Sequence, residues 1–154
     1  MGAASRRVLL AIHDPEQLPD LVDLACGLTG SHRHPEVYAL HVVVIPRALP
    51  LDADMQVEVA RGEALLAKAE EVAEARCGFR IRTDLLQARE PGPAILEEIN
   101  EKAINVVVLG SRRHRAFTEQ TLGGTVDYII RHAPCRVVVA VPAEPAMAAT
   151  KHEH

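Results

Sequence analysis

The sequence contains few aromatic residues and no excess of positive charge, and both absences limit the partners it can have. It has no tryptophan, two tyrosines and two phenylalanines among 154 residues. Proteins that bind single-stranded nucleic acids stack bases on aromatic side chains, so a platform of that kind is not expected. The 17 lysines and arginines against 21 aspartates and glutamates give a formal net charge of −4. This balance argues against a nucleic acid or an anionic membrane bound over a whole face.

Long hydrophobic runs are also missing. The longest runs, such as Val106–Leu109 and Val137–Val141, are far shorter than the roughly 20 residues that span a bilayer. The N-terminal residues, Met1 to Arg7, lead into a short strand-like run and not into a signal-peptide core. We therefore expect a cytoplasmic protein with no segment inserted in a membrane.

Cysteine is scarce, and its spacing forms no motif. Cys26, Cys77 and Cys135 are 51 and 58 residues apart and include no C-x-x-C pair. We expect three reduced, mostly buried thiols, as is usual in a cytosolic protein. The alternative is a catalytic cysteine, for which only Cys135 has a histidine, His132, close in sequence.

What the sequence does have is an alternation of strand-like and helix-like apolar patterns. Short apolar runs predict five strands, at Arg7–His13, Val37–Val44, Phe79–Leu86, Ile104–Leu109 and Arg136–Val141. Apolar residues at helical spacing predict four helices between them. These are a helix over Leu18–Leu28 that Gly30 ends, a helix over Met55–Arg76 that Gly78 ends, a helix carrying Ala94 to Ala103 after Pro91-Gly92-Pro93, and a helix over Thr125–Arg131.

This order of elements predicts the fold. Strands and helices that alternate require crossovers and a mainly parallel sheet, so we expect one doubly wound, Rossmann-like α/β domain with helices on both faces. The domain spans residues 1–142, and the tail, residues 143–154, is predicted to be disordered. The third strand alternates apolar and polar residues, as an edge strand does. The last strand, Arg136–Val141, is apolar and predicted at the other edge, where it invites pairing into a homodimer.

The loop after the fourth strand has the composition of an anion site. In such sheets ligands bind beyond the carboxyl ends of the strands. Three arginines, Arg112, Arg113 and Arg115, follow Gly110, and the glycine pair Gly123-Gly124 precedes Thr125, which is predicted to cap a helix. Glycines let a phosphate approach the backbone, arginines match phosphate oxygens, and a helix N-terminus attracts negative charge. The alternative is a solvated basic loop with a glycine turn.

The same loop resembles the universal stress protein family. Nucleotide-binding members carry G-x2-G-x9-G-[S/T] between the fourth strand and the last helix. Gly110 and Gly123 hold the first and third glycine positions, Arg113 holds the second, and Gly124 holds the final position, with Thr125 one residue later. Two further stretches share the resemblance, which covers roughly residues 6–142: Leu40-His41-Val42 and Ala133–Val139.

The resemblance implies a ligand and the residues around it. Some members of the family bind ATP or AMP, with Mg²⁺ only where the nucleotide carries it, and others bind no nucleotide. By the same resemblance the base and ribose would lie near Ile12, His13, Val42 and Leu109. Nucleotide-binding members have an aspartate where this chain has His13.

The resemblance and the residues leave two main functions open. One is a regulatory protein that binds an adenine nucleotide or another phosphate-bearing ligand at a degenerate site. The other is an interaction module without nucleotide that dimerises and regulates a partner such as a membrane transporter, because Val44–Pro50 and the Gly110–Arg113 run also resemble modules fused to transporters. A third, ATP hydrolysis or phosphoryl transfer, has no visible base or magnesium carboxylate to support it, so an enzyme is not expected.

The histidines do not predict a metal site. His32 and His34 form one close pair and His152 and His154 another, but neither pair has a third ligand nearby. His13 and His41 could lie side by side on adjacent strands. For those two we expect hydrogen-bonded or solvent-facing neutral rings.

Overall fold

Strands and helices alternate along the residues that the structure describes. The computed structural model describes residues 6–30, 34–111 and 123–142. A short 3₁₀ turn, Pro15–Gln17, precedes the first helix. The elements in chain order are β1 Arg7–Ala11, α1 Leu18–Thr29, β2 Glu36–Val44, α2 Gln56–Cys77, β3 Ile81–Ala88, α3 Pro91–Glu101, β4 Val106–Gly110, α4 Gly124–His132 and β5 Arg136–Ala140.

The five strands form one parallel sheet in the order β3-β2-β1-β4-β5. The chain first builds outward from β1 to β3, then returns to add β4 and β5 on the other side of β1. The strand order therefore reverses between β1 and β4, which is where a crevice opens in a doubly wound sheet. The predicted fold class is confirmed, and so are the edge positions of β3 and β5.

Each face of the sheet carries its own core. Val8 and Leu10 of β1 pack with Leu21 of α1 and Leu66 of α2 on one face. Leu9, the residue between them, packs on the other face with Ile99 of α3 and Ile129 of α4. Successive strand residues point to opposite faces, so a strand buried on both faces needs a continuous apolar run. The uninterrupted run in β1 is explained by this double burial.

Glycine ends the two helices where the sequence predicts it. Gly78 follows α2 with φ of 75°, a left-handed conformation that favours glycine, and its amide donates to Ala73 and Glu74 carbonyls. Gly30 follows α1 with φ of 37°.

Several predicted boundaries shift where a proline or glycine sets the backbone. β1 ends at Ala11, two residues before the predicted His13, because Asp14-Pro15 begins the 3₁₀ turn. α3 begins at Pro91 itself, since proline fits the first turn of a helix. The predicted cap at Thr125 is wrong: Gly123 is the N-cap of α4, and Thr125 lies inside the first turn. β3 begins two residues later than predicted, at Ile81, and β5 ends one residue earlier, at Ala140.

Cys26 and Cys77 form a disulfide, with Cα atoms 5.6 Å apart. The expectation of three reduced thiols is therefore wrong for this pair, whereas Cys135 is free. The bond joins α1 to the last residue of α2, and an Arg76–Asp23 ion pair of 2.7 Å lies beside it. Because α1 and α2 pack next to each other on one face, two residues that are distant in sequence come within disulfide range.

Among the described residues, no helix is long and apolar enough to cross a membrane. The tail, residues 143–154, lies outside the described residues.

Candidate functional site

A cavity of about 320 Å³ opens at the reversal of strand order between β1 and β4. We call it the strand-end cavity. It lies between the carboxyl ends of β1, β2 and β4 and the first turns of α3 and α4. The predicted site residues that line it are Ile12, His13, Val42, Leu109, Gly110, Gly123, Gly124 and Thr125. The sheet thus brings together residues that are as much as 113 positions apart, Ile12 and Thr125.

The other predicted site residues are the three arginines. Arg112, Arg113 and Arg115 lie outside the described residues, so their part in the site stays a prediction.

The residues that form one wall of the strand-end cavity were not predicted from the sequence. Pro91 and Ile95 of α3 line it, together with Val44 and Ser111. No local sequence pattern marks Pro91 and Ile95 as site residues, because they reach the cavity only when the chain returns from β3 across the sheet. Ser111 could have been found from its place directly after Gly110. Its side chain is buried, and its amide donates to the Ala140 carbonyl at 2.9 Å.

The walls of the cavity are mainly apolar. Leu40, Val42 and Leu109 belong to the core under α3 and α4, while Ile12 is packed into the core on the opposite face. No aspartate or glutamate among the described residues lines the cavity. Such walls suit a flat apolar group such as a nucleobase.

Gly110 makes a close approach that differs from the predicted one. A Cβ atom at this position would overlap the side-chain amide of Gln17, which comes from the 3₁₀ turn on the opposite face of the sheet. Gln17 also donates from Nε2 to the Ser111 carbonyl at 3.2 Å. The close approach that Gly110 permits is therefore to the protein itself.

Gly123 and Gly124 have no such constraint. A Cβ atom at either one would meet no atom of the described residues within 4 Å, so the described part of the chain leaves space beside the N-terminus of α4. No side chain caps this helix, and the first intrahelical amide bond runs from Asp127 to the Gly123 carbonyl at 2.9 Å. The amides of the preceding residues have no partner within the helix. Uncapped amides beside open space can bind phosphate oxygens.

His13 and His41 lie near each other, as the sequence suggested. Their rings are nearly parallel, at 9°, with centroids 6.3 Å apart. His41 is held in place by a 2.8 Å hydrogen bond between Nδ1 and the Ile12 carbonyl, whereas His13 is exposed at the mouth of the strand-end cavity.

The groups whose pKa values are shifted lie outside the strand-end cavity. Burial raises the pKa of the Cys135 thiol, which is the opposite of what a nucleophilic cysteine needs. His132, its sequence neighbour, stacks on Tyr128 at 4.2 Å and bonds the Tyr128 carbonyl. The described residues also contain no cluster of three or more metal-ligating side chains.

Comparison with known proteins identifies the family to which this chain belongs. The model of the universal stress protein family matches residues 4–141. The chain belongs to this family. It is 28% identical over 110 residues to universal stress protein MJ0531 of Methanocaldococcus jannaschii, which is 68% of this chain and 64% of that protein. The match thus spans less than two thirds of that relative's length.

Solved structures of the universal stress protein family share the fold. UspA from Lactobacillus plantarum superimposes with a TM-score of 0.65 over 87% of this chain and 96% of its own, at 19% identity. A universal stress protein from Archaeoglobus fulgidus, in complex with dAMP, gives a TM-score of 0.61 over 87% of this chain and 96% of its own, at 17% identity. At these identities the likeness establishes the fold alone.

Proposed function

We propose that the chain is a cytoplasmic regulatory protein that binds an adenine nucleotide, ATP or AMP, in the strand-end cavity. The observation that carries the proposal is the geometry of that cavity. Its walls are apolar and free of described carboxylates, and one end is formed by the uncapped N-terminus of α4 with open space at Gly123 and Gly124. A relative of the same fold is in complex with dAMP, which supports this class of ligand.

The residues present fit such a ligand. Val42 and Leu109 offer apolar contacts to the base, and the first amides of α4 offer hydrogen bonds to phosphate oxygens. In this proposal His13 lies near the ribose, and the arginines of the sequence, Arg112, Arg113 and Arg115, neutralise the phosphates. The role is binding and not turnover, and any Mg²⁺ would arrive with the nucleotide.

A charge placed at the phosphate end tests the proposal. The Gly124→Asp variant adds a carboxylate where no atom of the described residues obstructs it, and it should weaken ATP and AMP binding by about tenfold or more through repulsion. The matched control is Gly27→Asp on α1, where a Cβ also meets nothing within 4 Å. Isothermal calorimetry measures both. Equal affinities in the two variants, or no binding of either nucleotide at millimolar concentration, contradict the proposal.

A second function, an interaction module that dimerises, is favoured by the exposed edge of β5. Val137 and Val139 face one core and Val138 and Ala140 the other, yet all four side chains are only partly buried. Unpaired backbone groups along an apolar edge invite a second copy of the chain. We propose a homodimer through β5, and the partner of that dimer would be a protein such as a membrane transporter.

Size-exclusion chromatography with light scattering measures the mass of the protein in solution and so tests for the dimer. The wild type should elute as a dimer at micromolar concentration, and Val139→Pro, which removes an edge amide, should elute as a folded monomer. A wild-type monomer at that concentration contradicts this proposal and leaves the nucleotide proposal untouched.

A further inference from the structure

A second opening lies on the other face of the sheet, between the end of β2 and the first half of α2. We call it the α2 groove, and it has a volume of about 600 Å³. Buried Val43 and Leu65 give its lining an apolar part, and exposed Ala64 lies beside them on α2. Its charged residues, Glu58, Arg61 and Lys68, lie on one stripe of α2, because they are three and seven residues apart.

We propose that the α2 groove binds a small amphipathic carboxylate, an aliphatic chain with one anionic end, independently of the strand-end cavity. The apolar base suits the chain, and the rim supplies two permanent cations against one acid. The two openings adjoin, since His13, Val42 and Val44 line both, but the charged stripe of α2 lines the groove alone.

Charge complementarity points to an anion. Among the described residues Arg61 has no ion pair and no hydrogen-bond partner, and Lys68 has only the Glu71 carboxylate, at 3.4 Å and with both side chains mostly exposed. Exposed pairs of this kind contribute little, so Lys68 is free to turn toward a ligand. Arginine offers two parallel donors that match the oxygens of a carboxylate.

A glycine lets α2 pack closely on the sheet beside the groove. Gly62 lies in the middle of α2, where glycine costs about 1 kcal/mol relative to alanine. A Cβ atom there would approach His41 Cδ2 to 2.5 Å and Leu85 Cδ1 to 2.7 Å. Because Gly62 has no Cβ atom, α2 packs against the sheet beside the His41 ring. This packing fixes the position of the charged stripe of α2 along the groove.

His13 gives the groove a boundary shared with the strand-end cavity, since its side chain lines both. It is therefore not a useful position for a test that must separate the two sites. Arg61 and Ala64 line the groove and not the strand-end cavity, so substitutions there report on the groove alone.

Decanoate is the probe for the test, with decanol as its uncharged counterpart. Decanoate added to the ¹⁵N-labelled protein, below its micelle concentration, should shift the amides of Val43, Arg61 and Ala64. The affinity should fall by about five- to tenfold in Arg61→Gln and stay unchanged in Arg80→Gln, an exposed arginine outside the groove. Ala64→Trp should fill the groove and remove the shifts in a protein that still shows the spectrum of the folded state.

Four results would overturn the proposal. One is the absence of amide shifts at millimolar decanoate, and another is equal weakening in Arg61→Gln and Arg80→Gln. The third is equal binding of decanol and decanoate, which would make the groove an apolar docking surface and not an anion site. Shifts confined to the amides of Gly123–Val126 would place decanoate in the strand-end cavity and also contradict it. None of these results bears on whether AMP binds.

Discussion

At the scale of single residues, Gly110 shows how a motif position can be identified from sequence while its physical reason is not. The spacing of Gly110 from Gly123 predicts a glycine that admits phosphate. In the structure the space a Cβ would need is taken by Gln17, from a turn 93 residues earlier. Sequence alone could not show this contact, because it depends on how the 3₁₀ turn lies over the end of β4.

The contact between Gly110 and Gln17 predicts that a substitution at Gln17 offsets the loss of stability caused by one at Gly110. Gly110→Ala should lower the free energy of unfolding by about 0.5–1.5 kcal/mol, since the added methyl group displaces the end of the flexible Gln17 side chain from its hydrogen bond with the Ser111 carbonyl. Urea denaturation measures the loss, and the double variant with Gln17→Ala should recover much of it. The control is Gly27→Ala, which meets no neighbour and lies in a helix, so it should not destabilise. A Gly110→Ala variant as stable as the wild type would show that Gln17 does not restrict this position.

Lys102 gives a prediction about pH at the same scale. Its Nζ lies 2.6 Å from the Glu98 carboxylate, which is buried, and 3.1 Å from Asp84. The hydrogen bond to Glu98 is the largest reason that the pKa of Lys102 rises above its ordinary value of 10.5. A raised pKa in the folded state stabilises the fold fully below 10.5, and the stabilisation is lost as pH rises through the folded value.

We therefore expect the free energy of unfolding to decline above pH 10.5 more steeply in the wild type than in Lys102→Arg. The guanidinium of arginine stays charged throughout this range and keeps a cation beside Glu98. Urea denaturation at several pH values measures the difference. Identical alkaline declines would mean that Lys102 contributes nothing to it.

At the scale of elements, the disulfide fastens α1 to α2 and was not predictable from the chain. Cys26 and Cys77 are 51 residues apart, a spacing that matches no motif, and only the packing of the two helices brings them together. Other features of the elements could be predicted. Gly30 and Gly78 end their helices as expected, because glycine alone takes those positive φ angles at low cost.

A bridge across this separation should stabilise the fold by up to about 4 kcal/mol through the entropy of the unfolded chain. Reduction, or Cys77→Ser, should lower the urea midpoint, and Cys135→Ser should leave the effect of reduction intact. Thiol counting on the unfolded protein, trapped from cells before lysis, should find one free thiol without reductant and three with it. Three free thiols at the start would mean that the bridge does not form in the cell.

At the scale of the whole molecule, the alternation of strands and helices was sufficient to predict a parallel doubly wound sheet and both of its edges. It was also sufficient to direct attention to the carboxyl ends of the strands. The composition of the cavity was predictable only in part. His13 follows from its place after the first strand, and Val42 and Leu109 follow from the family resemblance. Pro91 and Ile95 enter through the long-range return of α3, for which the sequence carries no local signal.

The central claim is that an adenine nucleotide occupies the strand-end cavity with its phosphates on α4. The most direct test follows amide resonances of the ¹⁵N-labelled protein while AMP is added. The account predicts the largest shifts at Gly123–Val126 and at Leu109–Ser111, and few changes on α1. No shift at millimolar AMP or ATP, or shifts that leave the N-terminus of α4 unchanged, would contradict it.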